Sequence, residues 1–224
     1  MSLRGRMIAF AGGDGVSISA YHVEPEGPRR GGLVLIQEIF GVTDHIRELC
    51  DGFAADGFEV IAPSLYDREH PDFRADYTPE DIDRAKKLAT AHPVDTSLAD
   101  IARCVALLRR KGPVYVTGYC YGGSMSWLAA CRIEGIAAAS AYYGRLIPEH
   151  ADERPLCPVI LHFGERDASI PLQGVEKVKA AHPSVPVYIY PAGHGFNSDR
   201  RTDYDAGCAA LARARTLELF AANA

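Results

Sequence analysis

Cys120 sits in the run Gly118-Tyr119-Cys120-Tyr121-Gly122, directly after residues 114–117 (Val-Tyr-Val-Thr) and shortly before the apolar residues 125–130. The β-branched and aromatic run before it suits a buried strand, and the run after it suits a helix. Strand, sharp Gly-flanked turn and helix together make a nucleophile elbow, with cysteine where serine usually stands. The glycines have a physical reason. The elbow residue takes a strained backbone geometry, and flanking side chains would crowd the turn. Such a turn lifts the sulfur above the sheet and aims the amide of Tyr121 into the site. A thiolate is the working nucleophile, and free cysteine titrates near ~8.5, so a neighbouring base is needed. His194, in Gly193-His194-Gly195-Phe196, is the candidate base, and Asp167 is the candidate that fixes its tautomer. Taken singly, each residue has an ordinary structural reading: a small buried thiol, a surface-loop histidine, a loop carboxylate or helix cap.

The surrounding elements decide between these readings. Residues 7–10 and 16–22 read as strands joined by the hairpin signal Gly12-Gly13-Asp14-Gly15. Residues 33–36 are continuously apolar, as a central strand covered on both faces should be. A helix from about Asp44 places Ile46, Leu49, Cys50 and Phe53 on one face. Residues 58–62 form the next strand, and residues 63–77 form a long irregular loop of the kind that often serves function. Thr78-Pro79-Glu80-Asp81 is a helix start, and a longer helix opens near Asp95-Thr96. Further strands fall at 136–142, 158–164 and 187–190, with helices at 171–181 and 203–222. This alternation predicts one α/β domain over residues 1–224, a mostly parallel doubly wound sheet with helices on both faces. Ligands of such sheets bind outside the strand carboxyl ends. Cys120, Asp167 and His194 each follow a strand end, in the order nucleophile, acid, histidine that α/β-hydrolases use. His162, inside an apolar strand, reads as a satisfied core histidine, and Ser124 as a helix residue.

Composition excludes several classes. A net charge of −5 with no basic cluster makes nucleic acid and anionic membranes unlikely partners. Six cysteines without a C-x-x-C pair suggest reduced thiols in a cytoplasm, and no metal-ligand spacing stands out. No segment approaches the roughly 20 apolar residues of a membrane span, and the start lacks a signal-peptide core. No cofactor is expected, and the chain is expected to be a monomer or weak homo-oligomer.

The chain resembles the dienelactone hydrolase (carboxymethylenebutenolidase) family over nearly its whole length. Gln37-Glu38-Ile39-Phe40-Gly41, the Cys120 elbow through Gly123, Tyr142-Tyr143-Gly144, Asp167 and the His194 turn carry the resemblance. It implies hydrolysis of a small lactone or carboxylic ester through an acyl-enzyme thioester, with Cys120 as nucleophile, His194 as base and Asp167 as its orienter. It further implies an oxyanion hole from the amides of Ile39 and Tyr121. Glu38 would contact the resting thiol and help ionise it when substrate arrives. A carboxylate beside a thiol disfavours the thiolate, because like charges repel, and a thiol so protected resists oxidation.

The chain also departs from the family pattern. The family type enzyme grips the substrate carboxylate with two arginines, and Ile82 and Ser198 stand at the matching positions. Arg84, Lys86, Arg200 and Arg201 lie near in sequence and, with Tyr143, Phe196 and Ser198, are the candidates to line the substrate pocket. The resemblance therefore predicts retained hydrolytic machinery with a weaker grip on acidic substrates. Two other readings compete: an amidotransferase-like or chaperone protein, in which His usually follows the elbow Cys, and a non-catalytic thiol sensor. Tyr121 follows Cys120 here, and Asp167 and His194 are both present, which argues against each in turn.

Overall fold

The computed structural model describes residues 3–224. The chain enters as a hairpin of β1 (Arg6–Ala11) and β2 (Ser17–Val23), turned at Gly15 with φ +85°. It continues through β3 (Gly31–Ile36), α1 (Asp44–Ala55), β4 (Phe58–Pro63), α2 (Pro79–Ala91) and α3 (Val94–Leu108). Then come β5 (Val114–Tyr119), α4 (Tyr121–Arg132), β6 (Ala138–Tyr142), β7 (Val159–Gly164), α5 (Leu172–Ala181), β8 (Val187–Tyr190) and α6 (Ala206–Ala222). The eight strands form one sheet in the order β1-β2-β4-β3-β5-β6-β7-β8. Only the pairs β1–β2 and β2–β4 are antiparallel.

Every residue of β3, β4, β5, β6 and β7 is buried, so helices cover both faces of the sheet. Successive residues face opposite layers. A Cβ on Gly32 would meet Leu108 of α3, whereas one on Gly31 would meet Tyr115, whose ring stacks on Phe220 of α6. The strand order reverses at β3 and β5. β4 lies on one side of β3, and the chain then crosses to β5 on the other side and continues outward to β8. The loops that follow β3 and β5 thus flank the switch point, where ligands of open α/β sheets bind.

Three helix starts show where local chemistry chooses the boundary. At α2, Thr78 caps the helix by accepting from the Asp81 amide, with Pro79 in the first turn. The start of α3 lies at Val94 rather than at Asp95-Thr96, because the extended backbone of Pro93 serves as N-cap. α6 begins at Ala206 rather than at Asp203, because Asp205 accepts from the Cys208 amide and so sets the cap. His162 is wholly buried and hydrogen-bonds Tyr190 through Nδ1 (2.8 Å) and Ser140 through Nε2 (3.1 Å). Thr216 of α6 completes that polar cluster with Ser140 (2.8 Å) and Tyr142 (2.7 Å), tying α6 to β6.

Candidate active site

Cys120 occupies the single residue between β5 and α4 with φ 55° and ψ −111°. A non-glycine residue with this backbone costs on the order of 1–3 kcal/mol, held in place by the elements on either side. The turn closes this tightly because its neighbours lack side chains. A Cβ on Gly122 would fall 2.3 Å from the Ile36 carbonyl oxygen, and one on Gly118 2.4 Å from that of Gly122. Cys120 donates its amide to the Tyr142 carbonyl, pinning the elbow to β6 at 3.1 Å. The Tyr121 ring is fixed from α3, where its hydroxyl meets Ser97 at 2.8 Å.

His194 follows β8 and Asp167 follows β7, on strands that are neighbours in the sheet. His194 Nδ1 lies 2.7 Å from Asp167 Oδ2, and Nε2 lies 3.2 Å from Cys120 Sγ. Asp167 is itself aimed, because its Oδ1 accepts from the Ser169 amide at 2.8 Å. A carboxylate acceptor at Nδ1 puts the proton on that nitrogen and leaves Nε2 to face the sulfur. The edge of Tyr143 packs on the His194 ring, with centroids 5.1 Å apart. Burial alone works against a charged imidazole. The Cys120 sulfur and the Asp167 carboxylate, one beside each ring nitrogen, outweigh it and push His194 up to about 10.

Ile39 lies on the loop after β3, and Tyr121 opens α4. Tyr121 is the first residue of its helix, so its N–H has no intrahelical acceptor, and the Ile39 N–H meets no acceptor among the described residues. Glu38 is 1% exposed. The hydrogen bond to its carboxylate comes not from the thiol but from the Tyr77 hydroxyl, 3.3 Å from Oε2. Its Oε1 has no partner among the described residues.

The remaining pocket candidates fall into distinct places. Ser198 is fully buried and meets the Tyr77 hydroxyl at 3.4 Å. Phe196 is fully buried against Tyr143, with ring centroids 5.3 Å apart. Ile82 packs half-buried against the core, and Lys86 is exposed on α2. Arg84 pairs with Asp81 over the Phe73 ring. Arg200 is held by Glu48 and Asp199. Arg201 makes no ion pair or side-chain hydrogen bond among the described residues. Its side chain lies over Gly195, and its charge reaches the hydroxyls of Tyr77 and Tyr143. A cavity of about 660 Å³, lined by Thr43, His45, Arg74, Tyr77, Arg84 and Arg200 among others, opens on the outer side of Tyr77. Tyr77 was visible in the sequence only as part of the irregular loop 63–77. Its contact with Glu38 depends on where that loop packs, which no local pattern encodes.

Two groups of described residues bring three potential ligand atoms within 4.8 Å of one another: His22, Glu24 and Glu59, and His45, Glu48 and Asp199. An arginine already sits on Glu59 of the first (Arg29) and on Glu48 and Asp199 of the second (Arg200). The six cysteines are all free. Burial pushes the Cys131 and Cys157 thiols up to about 12 and about 11, and it raises those of Cys50 and Cys104 as well. No helix among the described residues is long and apolar enough to cross a membrane.

A cysteine-bearing elbow at the switch point of a mostly parallel sheet, with an acid and a histidine past the ends of β7 and β8, is the arrangement of an α/β-hydrolase fold. The fold recurs in solved structures. A crystal structure provisionally named a dienelactone hydrolase, from Klebsiella pneumoniae subsp. pneumoniae MGH 78578, aligns with TM-score 0.83 at 32% identity, covering 96% of this chain and 99% of that one. An esterase of Pyrococcus furiosus shares the fold alone, with TM-score 0.71 at 14% identity over 98% of this chain and 91% of its own. The dienelactone hydrolase family model matches residues 18–224, and the chain belongs to that family. It is a carboxylic ester or lactone hydrolase. Curated relatives that carry the provisional name carboxymethylenebutenolidase include one from Escherichia coli (strain K12), 34% identical over 92% of this chain and 83% of its own. Another, from Azospirillum brasilense, is 34% identical over 95% of this chain and 96% of its own.

Proposed function

We propose that the chain hydrolyses small lactones or carboxylic esters through a Cys120–His194–Asp167 triad and an acyl-enzyme thioester. One observation carries the reading: a single imidazole has Asp167 2.7 Å from one nitrogen and the Cys120 sulfur 3.2 Å from the other. His194 Nε2 takes the thiol proton as Sγ attacks the carbonyl carbon, and the carbonyl oxygen becomes an oxyanion facing the Ile39 and Tyr121 amides. Collapse breaks the ester C–O bond, and the departing alkoxide takes the proton from Nε2. With a lactone, that alcohol stays attached to the acyl group. Water, losing a proton to Nε2, then attacks the thioester, and its collapse returns the proton to sulfur and releases the acid.

The single sheet supports one domain over residues 1–224, and the six free thiols support a reducing, cytoplasmic setting. We read the chain as a monomer or weak homo-oligomer whose partner is a small-molecule substrate. The test compares Cys120→Ala with Cys50→Ala on p-nitrophenyl acetate and a dienelactone, together with the intact mass of protein quenched during turnover. Cys120→Ala is expected to lose at least about a thousandfold in kcat/KM, and the quenched wild type to gain the acyl mass. Full activity in Cys120→Ala would sink the assignment.

A further inference from the structure

His45 is 4% exposed, and its imidazole lacks ordinary partners. Nε2 has none among the described residues, and Nδ1 faces Asp199 Oδ1 at 3.4 Å, long for a hydrogen bond. Two ligands of one tetrahedral zinc, each about 2.0–2.1 Å from the ion, stand about 3.4 Å apart. The spacing of Nδ1 and Oδ1 is thus that of a ligand pair. Glu48, one turn along α1, completes a set whose potential ligand atoms all lie within 4.8 Å of one another. Two carboxylates this close need a cation between them. Arg200 is that cation: it donates to the two oxygens of Glu48 at 2.9 and 2.8 Å and to Asp199 Oδ2 at 2.7 Å. It reaches them along an exposed side chain, and exposed ion pairs hold weakly. His45 and Glu48 also border the cavity outside Tyr77, which opens the set to solvent. The group of His22, Glu24 and Glu59 offers no comparable place, because Glu59 is 6% exposed and already meets His22, Arg29 and Lys111.

We propose that His45, Glu48 and Asp199 form a site for a divalent cation of the zinc class, whose entry displaces the Arg200 guanidinium. With the ring proton on Nε2, Nδ1 supplies the nitrogen ligand and the two carboxylates supply oxygen. One imidazole with two carboxylates suits zinc or cobalt, whereas magnesium and calcium take oxygen ligands. Water fills the remaining positions, and the divalent charge balances the two carboxylates that the guanidinium leaves. None of the three residues hydrogen-bonds Cys120, His194 or Asp167 among the described residues. The bound ion instead ties α1 to the segment that follows His194.

The test titrates chelator-treated protein with zinc chloride by calorimetry, in wild type, His45→Gln, Glu48→Gln, Arg200→Gln and Cys120→Ala. Wild type is expected to bind one equivalent that Cys120→Ala keeps. His45→Gln is expected to weaken that binding at least about tenfold, the smallest loss that even an outer-shell partner brings. Glu48→Gln repeats the test at the exposed end of the set, without touching the buried ring, and is expected to weaken binding likewise. Arg200→Gln removes the competing cation and is expected to tighten binding by up to about fivefold, the reach of an exposed ion pair. Magnesium chloride at the same concentrations is expected to give no saturable heat. Zinc binding that is absent from wild type, or unchanged in both His45→Gln and Glu48→Gln, would overturn the site. So would an equivalent lost in Cys120→Ala, which would put the ion on the elbow thiol. Weaker binding in Arg200→Gln would overturn the displacement.

Discussion

Arg200 and Arg201 are adjacent in sequence and opposite in situation. The guanidinium of Arg200 is spent on Glu48 and Asp199, whereas that of Arg201 has no ion-pair partner among the described residues and hangs over the turn that carries His194. Ile82 and Ser198, where the family type places its gripping arginines, supply no charge, and Ser198 is buried under Tyr77. On that placement, Arg201 is the guanidinium that a substrate carboxylate entering beside His194 would meet. Arg201→Gln is expected to lower kcat/KM for an acidic lactone by roughly ten- to a hundredfold, the worth of a hydrogen bond to a charged group. The neutral methyl ester should lose little, and Arg200→Gln should leave the ratio of the two substrates unchanged. An unaltered ratio in Arg201→Gln would show that the carboxylate is bound elsewhere.

At the scale of elements, the loop 63–77 after β4 decides how Tyr77 reaches Glu38, and it is nailed down rather than free. Arg68 donates to both oxygens of Asp100, at 2.6 and 2.9 Å, while Asp67 accepts from the amide and hydroxyl of Ser19. Asp100 is wholly buried, and the Gly13 amide also reaches it at 2.9 Å, so α3, the β1–β2 hairpin and the loop share one carboxylate. Removing one partner of a buried pair leaves the other charge uncompensated. Arg68→Met is therefore expected to cost on the order of 3 kcal/mol in urea unfolding, against no measurable change for the exposed Lys87→Met. Equal midpoints for the two would show that the tether contributes nothing. This loop also marks the limit of the sequence. Residues 187–190, Thr78-Pro79 and the elbow carry their own strand, cap and turn chemistry, and all were legible. The loop's shape rests on the pairs Asp67–Ser19, Arg68–Asp100 and Tyr77–Glu38, which lie 48, 32 and 39 residues apart, and no local periodicity announces such pairs.

Across the whole molecule, alternation of apolar strands and amphipathic helices was enough to read the sheet and to bring residues 120, 167 and 194 to one edge of it. What alternation cannot supply is the polar content of the core, and His162 is the instance with a measurable consequence. Read as a satisfied core histidine, it is one. Burial, with the charge of Arg215 adding to it, lowers it from its ordinary 6.5 to about 3. The folded chain thus stays unprotonated there while the unfolded chain takes up a proton. The stability this group contributes is present above pH ~6.5 and is lost as pH falls toward about 3, at about 1.4 kcal/mol per pH unit. Urea unfolding of wild type and His162→Gln between about pH 6 and about pH 4.5 should show a slope shallower by about that amount in the variant. Parallel slopes would mean that His162 protonates without cost.

The strand order sets when chemistry becomes available to a newly made chain. Cys120 is synthesised and its strand can pair with β3 before β7 or β8 exist, so the nascent thiol has neither acid nor base beside it. His194 hangs from β8, the outermost strand, which has one neighbour and is the least buried of the parallel set. Edge elements open at lower free energy than the core around them. On the proposed triad, the peripheral strand that arms the sulfur last would also be the first to disarm it, so reactivity would come and go with one flank of the sheet.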